Sequence, residues 1–281
     1  MKKEAYAEST IEYTGKRLRH LKRNCNLENP EDVKAFIAQK NCTNAYKESL
    51  IEAYALYCKA HQIEWNQPFY QRYDKQPRIP TEQQINAIIA DASNRLSLAL
   101  SIIRDLGLRP IELTWLKLRD IDLNSGTVTI TSAKYCRGRT LKIRPQTLAM
   151  LRAYVLKKNK GQNDLLFPMK SASLSRNYNV VRNRVSEKLQ DPAIRTIRLY
   201  DFRHWKASTE YAKTKDLLHV KAMLGHKDLR TTLRYTQLIN FGSEEYHIKV
   251  GATLEECSKL LEAGFEYVTD YEDKKLFRKR K

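Results

Sequence analysis

The chain has 281 residues, of which 42% are hydrophobic and 30% charged, and its 51 Lys and Arg against 32 Asp and Glu give a net charge of +19 at pH 7. This length allows two domains, each with its own core. The five cysteines are widely spaced and form no C-x-x-C pair, which argues against a zinc ribbon or a disulfide framework. The chain contains neither an 18-residue apolar run nor a signal-peptide pattern, so we expect a soluble, cytoplasmic protein.

The positive charge is concentrated in one part of the chain. Residues 79–243 hold 29 basic and 13 acidic residues, a net charge of +16, whereas residues 1–78 carry +4 and residues 244–281 carry −1. A field of this sign favours a polyanionic partner and predicts salt-dependent binding. A structural nucleic-acid binder, or a basic surface without a partner, is also compatible with the charge alone.

The first part of the chain has the pattern of a small helical module. Helices are predicted over residues 9–24, from Asn29 and Pro30 onward, and over residues 43–61, where apolar residues recur at intervals of three and four. We interpret the tyrosines of the third helix as core residues. The polar stretch 74–80 contains two prolines and predicts a linker after this module.

The next segment places an arginine at the junction of two helices. Apolar helices are predicted after Thr81, and Gly107 and Pro110 are suited to end one helix and to begin the next. Arg109 would be held rigidly at this junction, where it could bind a phosphate; an arginine that caps the preceding helix at the surface is the alternative. Glu112 would lie one turn further on, able to orient a neighbouring basic side chain.

A basic hairpin and a basic helix follow. Alternating residues in 127–130 and 140–143 predict two antiparallel strands around a turn near Gly138. A further helix is predicted near 173–189. The cationic side chains of these elements are either solvated or bound to nucleic acid, the hairpin tip entering a groove and the helix lying along backbone phosphates. They are Lys134, Arg137 and Arg139 at the hairpin tip and Arg176, Arg182 and Arg184 on the helix.

The stretch from Tyr200 to Tyr235 combines basic groups with a phenol on a helical scaffold. Arg203 stands near its start, the tripeptide LGH ends at His226, and Tyr235 follows nine residues later. Guanidinium groups match the oxygens of a phosphodiester with paired donors, and Arg109 and Arg203 together suit the transition state of its cleavage. The pattern therefore predicts phosphoryl transfer with a tyrosine as nucleophile.

Two segments resemble box I and box II of the tyrosine recombinase (phage integrase) family. The run LGLRPIELTWLKLRDID is similar to box I, and the stretch just described is similar to box II, usually H-x-L-R-H, then L-G-H, then the tyrosine. The tail also looks like those of archaeal plasmid and virus integrases. The resemblance implies a mainly α fold with a small β-sheet, in which an α+β catalytic domain follows a helical DNA-binding domain. It implies catalytic roles for Arg109, Lys134, Arg203, His226 and the nucleophile Tyr235, with Glu112 in support.

The chain departs from the family pattern at one position. Tyr200 stands where box II usually has its first histidine. A phenol can donate a hydrogen bond to phosphate but is a weak proton shuttle at neutral pH, so proton transfer would fall to His226 and Lys134. Tyr200 is the second candidate for the nucleophile. Other residues are interpreted as buried helix or core residues rather than catalysts: His204, Tyr178, Trp205 and Tyr211.

The resemblance divides the chain into three parts. Residues 1–76 are expected to form a core-binding domain that clamps DNA, residues 80–243 the catalytic domain, and residues 244–281 a tail with a helix and a hairpin. The tail either docks on a neighbouring protomer or packs on its own. The expected partners are double-stranded DNA attachment sites and further copies of the chain in a tetramer on DNA, which would make the protein nucleoid-associated.

The function implied is site-specific recombination by an integrase, through a 3′-phosphotyrosyl intermediate and a Holliday junction, without metal, ATP or another cofactor. Three alternatives share part of this reasoning: a Xer-like dimer resolvase, a type IB topoisomerase, and a DNA-binding protein whose active site has decayed. A metal-dependent nuclease is disfavoured because no cluster of acids, histidines or cysteines has metal-ligand spacing.

Overall fold

A computed structural model describes residues 5–72, 77–133, 136–235, 246–271 and 274–280. The chain divides into two compact units, residues 1–75 and residues 76–281. Within the described ranges, no helix has both the length and the apolar character needed to cross a membrane.

The first unit is a three-helix module made of α1 (Glu8–Lys22), α2 (Pro30–Gln39) and α3 (Asn44–His61). Asn29 caps α2, since its side chain accepts from the first backbone N–H groups, and Thr43 caps α3 in the same way. Tyr54 is buried in the core of this unit, as expected for the tyrosines of α3. Tyr46 lies in the first turn of α3 and is 38% exposed, so its interpretation as a core residue was wrong. The fully buried members of this core are Leu21, Val33, Ile37, Leu50 and Tyr54.

The second unit is mainly helical, and α5 lies at its centre. Nine of the thirteen residues of α5 are buried, which explains its nearly continuous apolar sequence. Helices α4, α7, α8 and α9 pack against it. The helices of this part are α4 (Glu82–Asp91), α5 (Asn94–Leu106), α6 (Pro110–Trp115), α7 (Pro145–Lys158), α8 (Ser171–Lys188), α9 (Asp201–Thr214), α10 (Leu217–Leu224) and α11 (Arg230–Leu233).

A small antiparallel sheet lies between α6 and α7 in the chain. Its strands are β1 (Ile121–Asp122), β2 (Thr127–Ile130) and β3 (Arg139–Lys142), in the order β1-β2-β3. Strand β2 is the predicted first strand of the hairpin, and β3 begins one residue earlier than predicted, with Ile130 opposite Arg139. Val128 and Ile130 are buried while Thr129 between them is exposed, which accounts for the period-two pattern.

The last part of the chain forms a second sheet with one helix. Its elements are β4 (Tyr246–Gly251), α12 (Leu254–Glu262), β5 (Glu266–Tyr271) and β6 (Lys274–Arg280), and β6 lies between β4 and β5. A capping box of Thr253 and Glu256 begins α12. The sequence predicted the helix and the β5–β6 hairpin but not β4, which pairs with the end of the chain. The predicted fold class, mainly α with a small β component, is confirmed.

Candidate active site

The first half of the site is an ion-paired cluster at the junction of α5 and α6. Gly107 ends α5 in the left-handed conformation, with φ +60°, and Arg109 is the N-cap of α6. Glu112, one turn later, accepts hydrogen bonds from the Arg109 backbone N–H (3.0 Å) and from Arg109 Nη1 (2.7 Å). Arg139, at the start of β3, donates to the same carboxylate through Nη2 (2.8 Å). Glu112 thus holds two arginines from different elements in one position.

The charge of Glu112 is stabilised by its two partners. Burial by itself would raise the pKa of this carboxyl, but hydrogen bonds and charge from Arg139 and Arg109 lower the pKa to about 2. Glu112 is therefore ionised at neutral pH, and the cluster of one carboxylate and two guanidinium groups keeps a net charge of +1.

Arg139 was expected among the DNA-contacting residues at the hairpin tip. The structure places its side chain inside the protein, only 4% exposed and paired with Glu112. The physical reason is that the buried carboxylate needs a second cation, and the start of β3 lies beside it. Arg139 therefore supports the site from within and does not belong to the surface.

The second half of the site is centred on Arg203, which lies in the first turn of α9 and is fully buried. Its Nη1 donates to the Gly107 carbonyl (2.6 Å), and its Nη2 donates to the Leu224 carbonyl (2.7 Å) and contacts His226 Nε2 (3.1 Å). No carboxylate contacts Arg203 within the described ranges. Burial and the nearby Arg109 lower the pKa of Arg203 to about 10, so it remains charged at neutral pH.

His226 follows the glycine that ends α10. Gly225 has φ +70°, and a Cβ added there would lie 2.7 Å from the Arg137 carbonyl, so the LGH glycine is required by both conformation and space. Because a guanidinium can only donate, Nε2 of His226 must accept from Arg203, which leaves the proton on Nδ1 for donation to Thr232 Oγ1 (2.9 Å). Burial and Arg203 lower the pKa of His226 to about 3, so the ring is neutral.

Tyr235 lies just beyond α11, and its side chain is 2% exposed. Its hydroxyl is 3.0 Å from Nδ1 of His204, a buried residue next to Arg203 on α9. Burial raises the pKa of Tyr235 to about 12, although Arg203 opposes this shift. Burial also lowers the pKa of His204 to about 4, with Asp201 opposing it, so both groups are neutral at pH 7.

Tyr200, at the usual histidine position of box II, occupies the edge of the site. It is 38% exposed, and its ring packs edge-on against His204 with 5.0 Å between the ring centres. The described contacts thus form a row from Tyr200 through His204 to Tyr235, whose ring centre lies 5.8 Å from that of His204.

A cleft of about 660 Å³ in the second unit is lined by several of these side chains. Of the residues predicted for catalysis, the cleft brings together Arg109, Tyr200, His226 and Tyr235, and Arg203 joins them through His226. Lys134 lies outside the described residues. The sequence reasoning gave no site role to several further neighbours, namely His204, Thr232, Lys227, Arg234 and Cys136, whose Sγ accepts from Arg109 Nη2 (3.3 Å).

The other predicted DNA-binding arginines differ in their surroundings. Arg137 is exposed, and its backbone N–H donates to the Gly225 carbonyl (3.3 Å). On α8, Arg176 is exposed, Arg182 donates to the Ile197 carbonyl (3.1 Å), and Arg184 forms an ion pair with Asp91 (2.6 Å). In the described part of the chain, no group of three or more acids, histidines or cysteines could hold a metal ion.

A model of the phage integrase family matches residues 79–240, which is more than half of the chain. The chain therefore belongs to the phage integrase family, the tyrosine recombinases, and the resemblance of its two boxes is confirmed. The matched segment contains every residue of the cleft.

Two archaeal relatives illustrate the similarity. Tyrosine recombinase XerA of Saccharolobus solfataricus is 28% identical over 166 residues, covering 59% of this chain and 54% of that protein. A probable integrase/recombinase protein of Methanocaldococcus jannaschii is 30% identical over 175 residues, covering 59% of this chain and 53% of that protein. The chain spans about half the length of these relatives.

Solved structures share the fold at lower sequence identity. The crystal structure of XerA recombinase is 20% identical with a TM-score of 0.50, covering 96% of both chains. The Tn1549 transposon integrase in complex with transposon right end DNA is 14% identical with a TM-score of 0.66, covering 92% of this chain and 94% of that one. XerH recombinase bound to its difH substrate is 20% identical with a TM-score of 0.53, covering 70% and 63%.

Proposed function

We propose that this chain is a site-specific DNA recombinase, an integrase that cleaves and rejoins DNA strands through a 3′-phosphotyrosyl bond to Tyr235. The observation that carries the proposal is the buried guanidinium of Arg203, which contacts no carboxylate in the described part of the chain and adjoins the cleft of Arg109, His226 and Tyr235. A buried charge without a counterion calls for an anionic ligand. The backbone phosphate of DNA supplies that anion.

The two arginines would act on the phosphate in different ways. Arg109 lines the cleft and keeps its position through Glu112, so it can donate to a non-bridging oxygen with little reorganisation. Arg203 adds a second positive charge from within. As negative charge grows on the non-bridging oxygens in the transition state, both interactions strengthen, which lowers the barrier.

His226 is proposed to orient Arg203 rather than to shuttle a proton. Both of its ring nitrogens have partners, Arg203 on Nε2 and Thr232 on Nδ1. Protonation at Nε2 would place two positive donors against each other, which burial makes worse. The role first expected for His226 in proton transfer is therefore replaced in this proposal.

The reaction would form a bond between Tyr235 Oη and phosphorus and break the bond from phosphorus to the 5′ oxygen. The tyrosine gives up its proton, and the leaving 5′ oxygen takes one; the family resemblance makes Lys134 the candidate donor. Because the phosphotyrosyl ester conserves the energy of the broken bond, a different 5′ hydroxyl can reseal the strand without ATP or metal. Two rounds of exchange would pass through a Holliday junction.

The three parts of the chain would have separate roles in this reaction. Residues 1–76 would clamp DNA, residues 80–243 would carry the chemistry, and residues 244–281 would dock on a neighbouring protomer in a tetramer on double-stranded DNA. The net charge of +16 on residues 79–243 supports a DNA partner. Two solved structures with a similar fold also support it, because the Tn1549 transposon integrase is in complex with transposon DNA and XerH is bound to difH. Integration of a mobile element is favoured over resolution of chromosome dimers, which would use the same chemistry.

The test is formation of a covalent adduct. Nicked duplexes tiled across the chain's own gene and its flanking DNA would be mixed with the wild type, with Tyr235→Phe and with Tyr200→Phe, then denatured and examined for labelled DNA on protein. We expect an adduct with the wild type and Tyr200→Phe, and none with Tyr235→Phe. An adduct that survives in Tyr235→Phe would contradict the assignment of the nucleophile.

A second candidate is a DNA-binding protein that no longer cleaves, favoured by Tyr200 at the usual histidine position. Tight, sequence-specific binding without an adduct on any duplex would support it. A type IB topoisomerase would instead give an adduct and relax supercoiled DNA without bringing two sites together.

A further inference from the structure

The contact between His204 and Tyr235 lies within the cleft but outside the set of residues to which the sequence assigned a role. His204 Nδ1 is 3.0 Å from the Tyr235 hydroxyl oxygen, and both side chains are buried. The two residues are 31 positions apart, so the contact is made by the packing of α9 against the segment after α11.

We propose that His204 is a catalytic base, which accepts the proton of Tyr235 when the tyrosine attacks and returns it when the strand is rejoined. This inference rests on the proposed function, because it takes Tyr235 as the nucleophile. It also explains how a chain with Tyr200 at the usual histidine position can remove the proton from the attacking tyrosine.

The geometry favours His204 over the other groups near the hydroxyl. His226 has no free ring nitrogen, because Arg203 and Thr232 occupy both. Tyr200 packs edge-on against His204 with 5.0 Å between the ring centres, so it supports the imidazole. A neutral imidazole nitrogen is a far better proton acceptor than a phenol oxygen at neutral pH.

The proposed steps balance in atoms and charge. Tyr235 Oη donates its hydrogen to His204 Nδ1, and as Oη bonds to phosphorus the proton moves to the imidazole. The bond to the 5′ oxygen breaks, and that oxygen takes a proton from a separate acid. In the reverse direction a 5′ hydroxyl attacks phosphorus, Oη leaves, and the His204 imidazolium returns the proton to it.

The charges that face His204 couple this transfer to DNA binding. Asp201 on α9 favours the imidazolium, whereas Arg203 on α9, Arg198 before α9 and Arg234 after α11 oppose it. A phosphate in the cleft would offset these guanidinium groups. His204 would therefore accept the proton only when the substrate phosphate is present, and Tyr235 would remain protonated in the absence of DNA.

The experiment separates proton transfer from folding and from phosphate binding. Adduct formation would be timed on a nicked duplex that gives an adduct with the wild type, using His204→Asn, His204→Phe and the control His219→Asn. His219 is an exposed histidine of α10 whose Nε2 lies 3.1 Å from Glu210, and it does not line the cleft. Asparagine can still hold the hydroxyl in place but cannot take up its proton. We expect His204→Asn and His204→Phe to form the adduct at least about 100-fold more slowly, and His219→Asn to match the wild type.

A second substrate bypasses Tyr235. A DNA strand that ends in a 3′-p-nitrophenyl phosphate can be joined to a 5′ hydroxyl, because p-nitrophenolate leaves without a proton and no tyrosine is required. We expect His204→Asn to join this strand at a rate within about threefold of the wild type, whereas Arg109→Ala should lose both reactions. This comparison also shows that the His204 variant is folded and binds DNA.

The pH dependence of the cleavage rate distinguishes a proton-transfer role of His204 from a packing role. With His204→Asn the proton must pass to solvent hydroxide, so the cleavage rate should rise about tenfold per pH unit from pH 6 to 9. The wild type should level off within this range. Equal cleavage by His204→Asn and the wild type, or equal loss of cleavage and of p-nitrophenyl joining, would overturn the inference. No adduct with the wild type on any duplex would instead refute the proposed function on which it rests.

Discussion

The two halves of the cleft hold their arginines in opposite ways. At the α5–α6 junction, Arg109 and Arg139 share the carboxylate of Glu112, which neutralises one of their two positive charges. On the α9–α10 side, Arg203 is held by two backbone carbonyls and a neutral His226, without a carboxylate among the described residues. Arg109 is held in place by an ion pair with a carboxylate. Arg203 is held by uncharged groups, so its positive charge is not neutralised by a neighbouring anion among the described residues.

This difference means that the two kinds of arginine contribute to the site in different ways. A paired guanidinium is oriented but partly neutralised, so it contributes position, whereas an unpaired buried guanidinium contributes electrostatic free energy as soon as an anion arrives. The contrast predicts that substitutions of Glu112 and Arg139, which support the first half, mainly change stability, whereas substitution of Arg203 in the second half mainly changes activity.

The largest expected effect follows from replacing Arg203. Arg203→Lys keeps the charge, but a single ammonium nitrogen cannot replace the two guanidinium nitrogens that contact Gly107, Leu224 and His226. We therefore expect adduct formation to slow on the order of 10³-fold. The matched control is Arg139→Lys, which should lower the free energy of unfolding but should slow cleavage far less than Arg203→Lys does. Similar losses of activity in the two variants would contradict the division of the cleft.

Glu112→Gln should be the most destabilising change of the first half. It leaves two guanidinium groups buried without a counterion, and the lowered pKa of Glu112, from 4.5 to about 2, corresponds to roughly 3 kcal/mol in the free energy of unfolding. Because the folded-state pKa is depressed, this stability is complete above pH 4.5 and is lost as the pH falls toward 2. Denaturant unfolding of both proteins at several pH values should show the difference shrinking in acid; a constant difference would refute the ionised pair.

The lowered pKa of His226 also predicts that the free energy of unfolding falls in acid. In this case the cause is a histidine that is neutral in the folded protein and protonated in the unfolded chain. Its folded-state pKa is about 3 against 6.5 when unfolded, so the unfolded chain binds more protons below pH 6.5 and stability falls as the pH drops. Between pH 7 and pH 5 the loss should be about 2 kcal/mol, and His226→Gln should abolish that part of it. His61→Gln changes an exposed histidine and serves as the control. An unaltered pH dependence in His226→Gln would show that folding does not lower the pKa of His226.

The smallest effects should come from α8. Arg176 is exposed and forms no ion pair within the described ranges, whereas Arg184 is engaged by Asp91. Arg176→Ala should weaken DNA binding by about three- to tenfold and reduce the slope of log K against log salt by about 1. Arg184→Ala should change binding less, and the free energy of unfolding by under about 1 kcal/mol. The reverse order in a titration at several salt concentrations would mean that Asp91 releases Arg184 to the DNA.

The sequence predicts the parts of this site that are defined locally. The Gly107–Pro110 junction, Glu112 one turn after Arg109, and the glycine before His226 all follow from helix ends and short spacings. The burial of Arg139 does not, because its partner Glu112 lies 27 residues away. The same holds for His204 and Tyr235, which α9 and the segment after α11 bring together, and for β4, whose partner strand is β6. Tertiary contacts of this kind leave no periodicity in the sequence.

The chemical location of the DNA–protein bond decides whether Tyr235 is the nucleophile. The adduct formed on a nicked duplex would be digested with nuclease and protease, and the modified peptide would be fragmented in a mass spectrometer. We expect a nucleotide 3′-phosphate on Tyr235, in the cleft that Arg109 and His204 also line. A nucleotide on Tyr200, or on any other side chain, would contradict it.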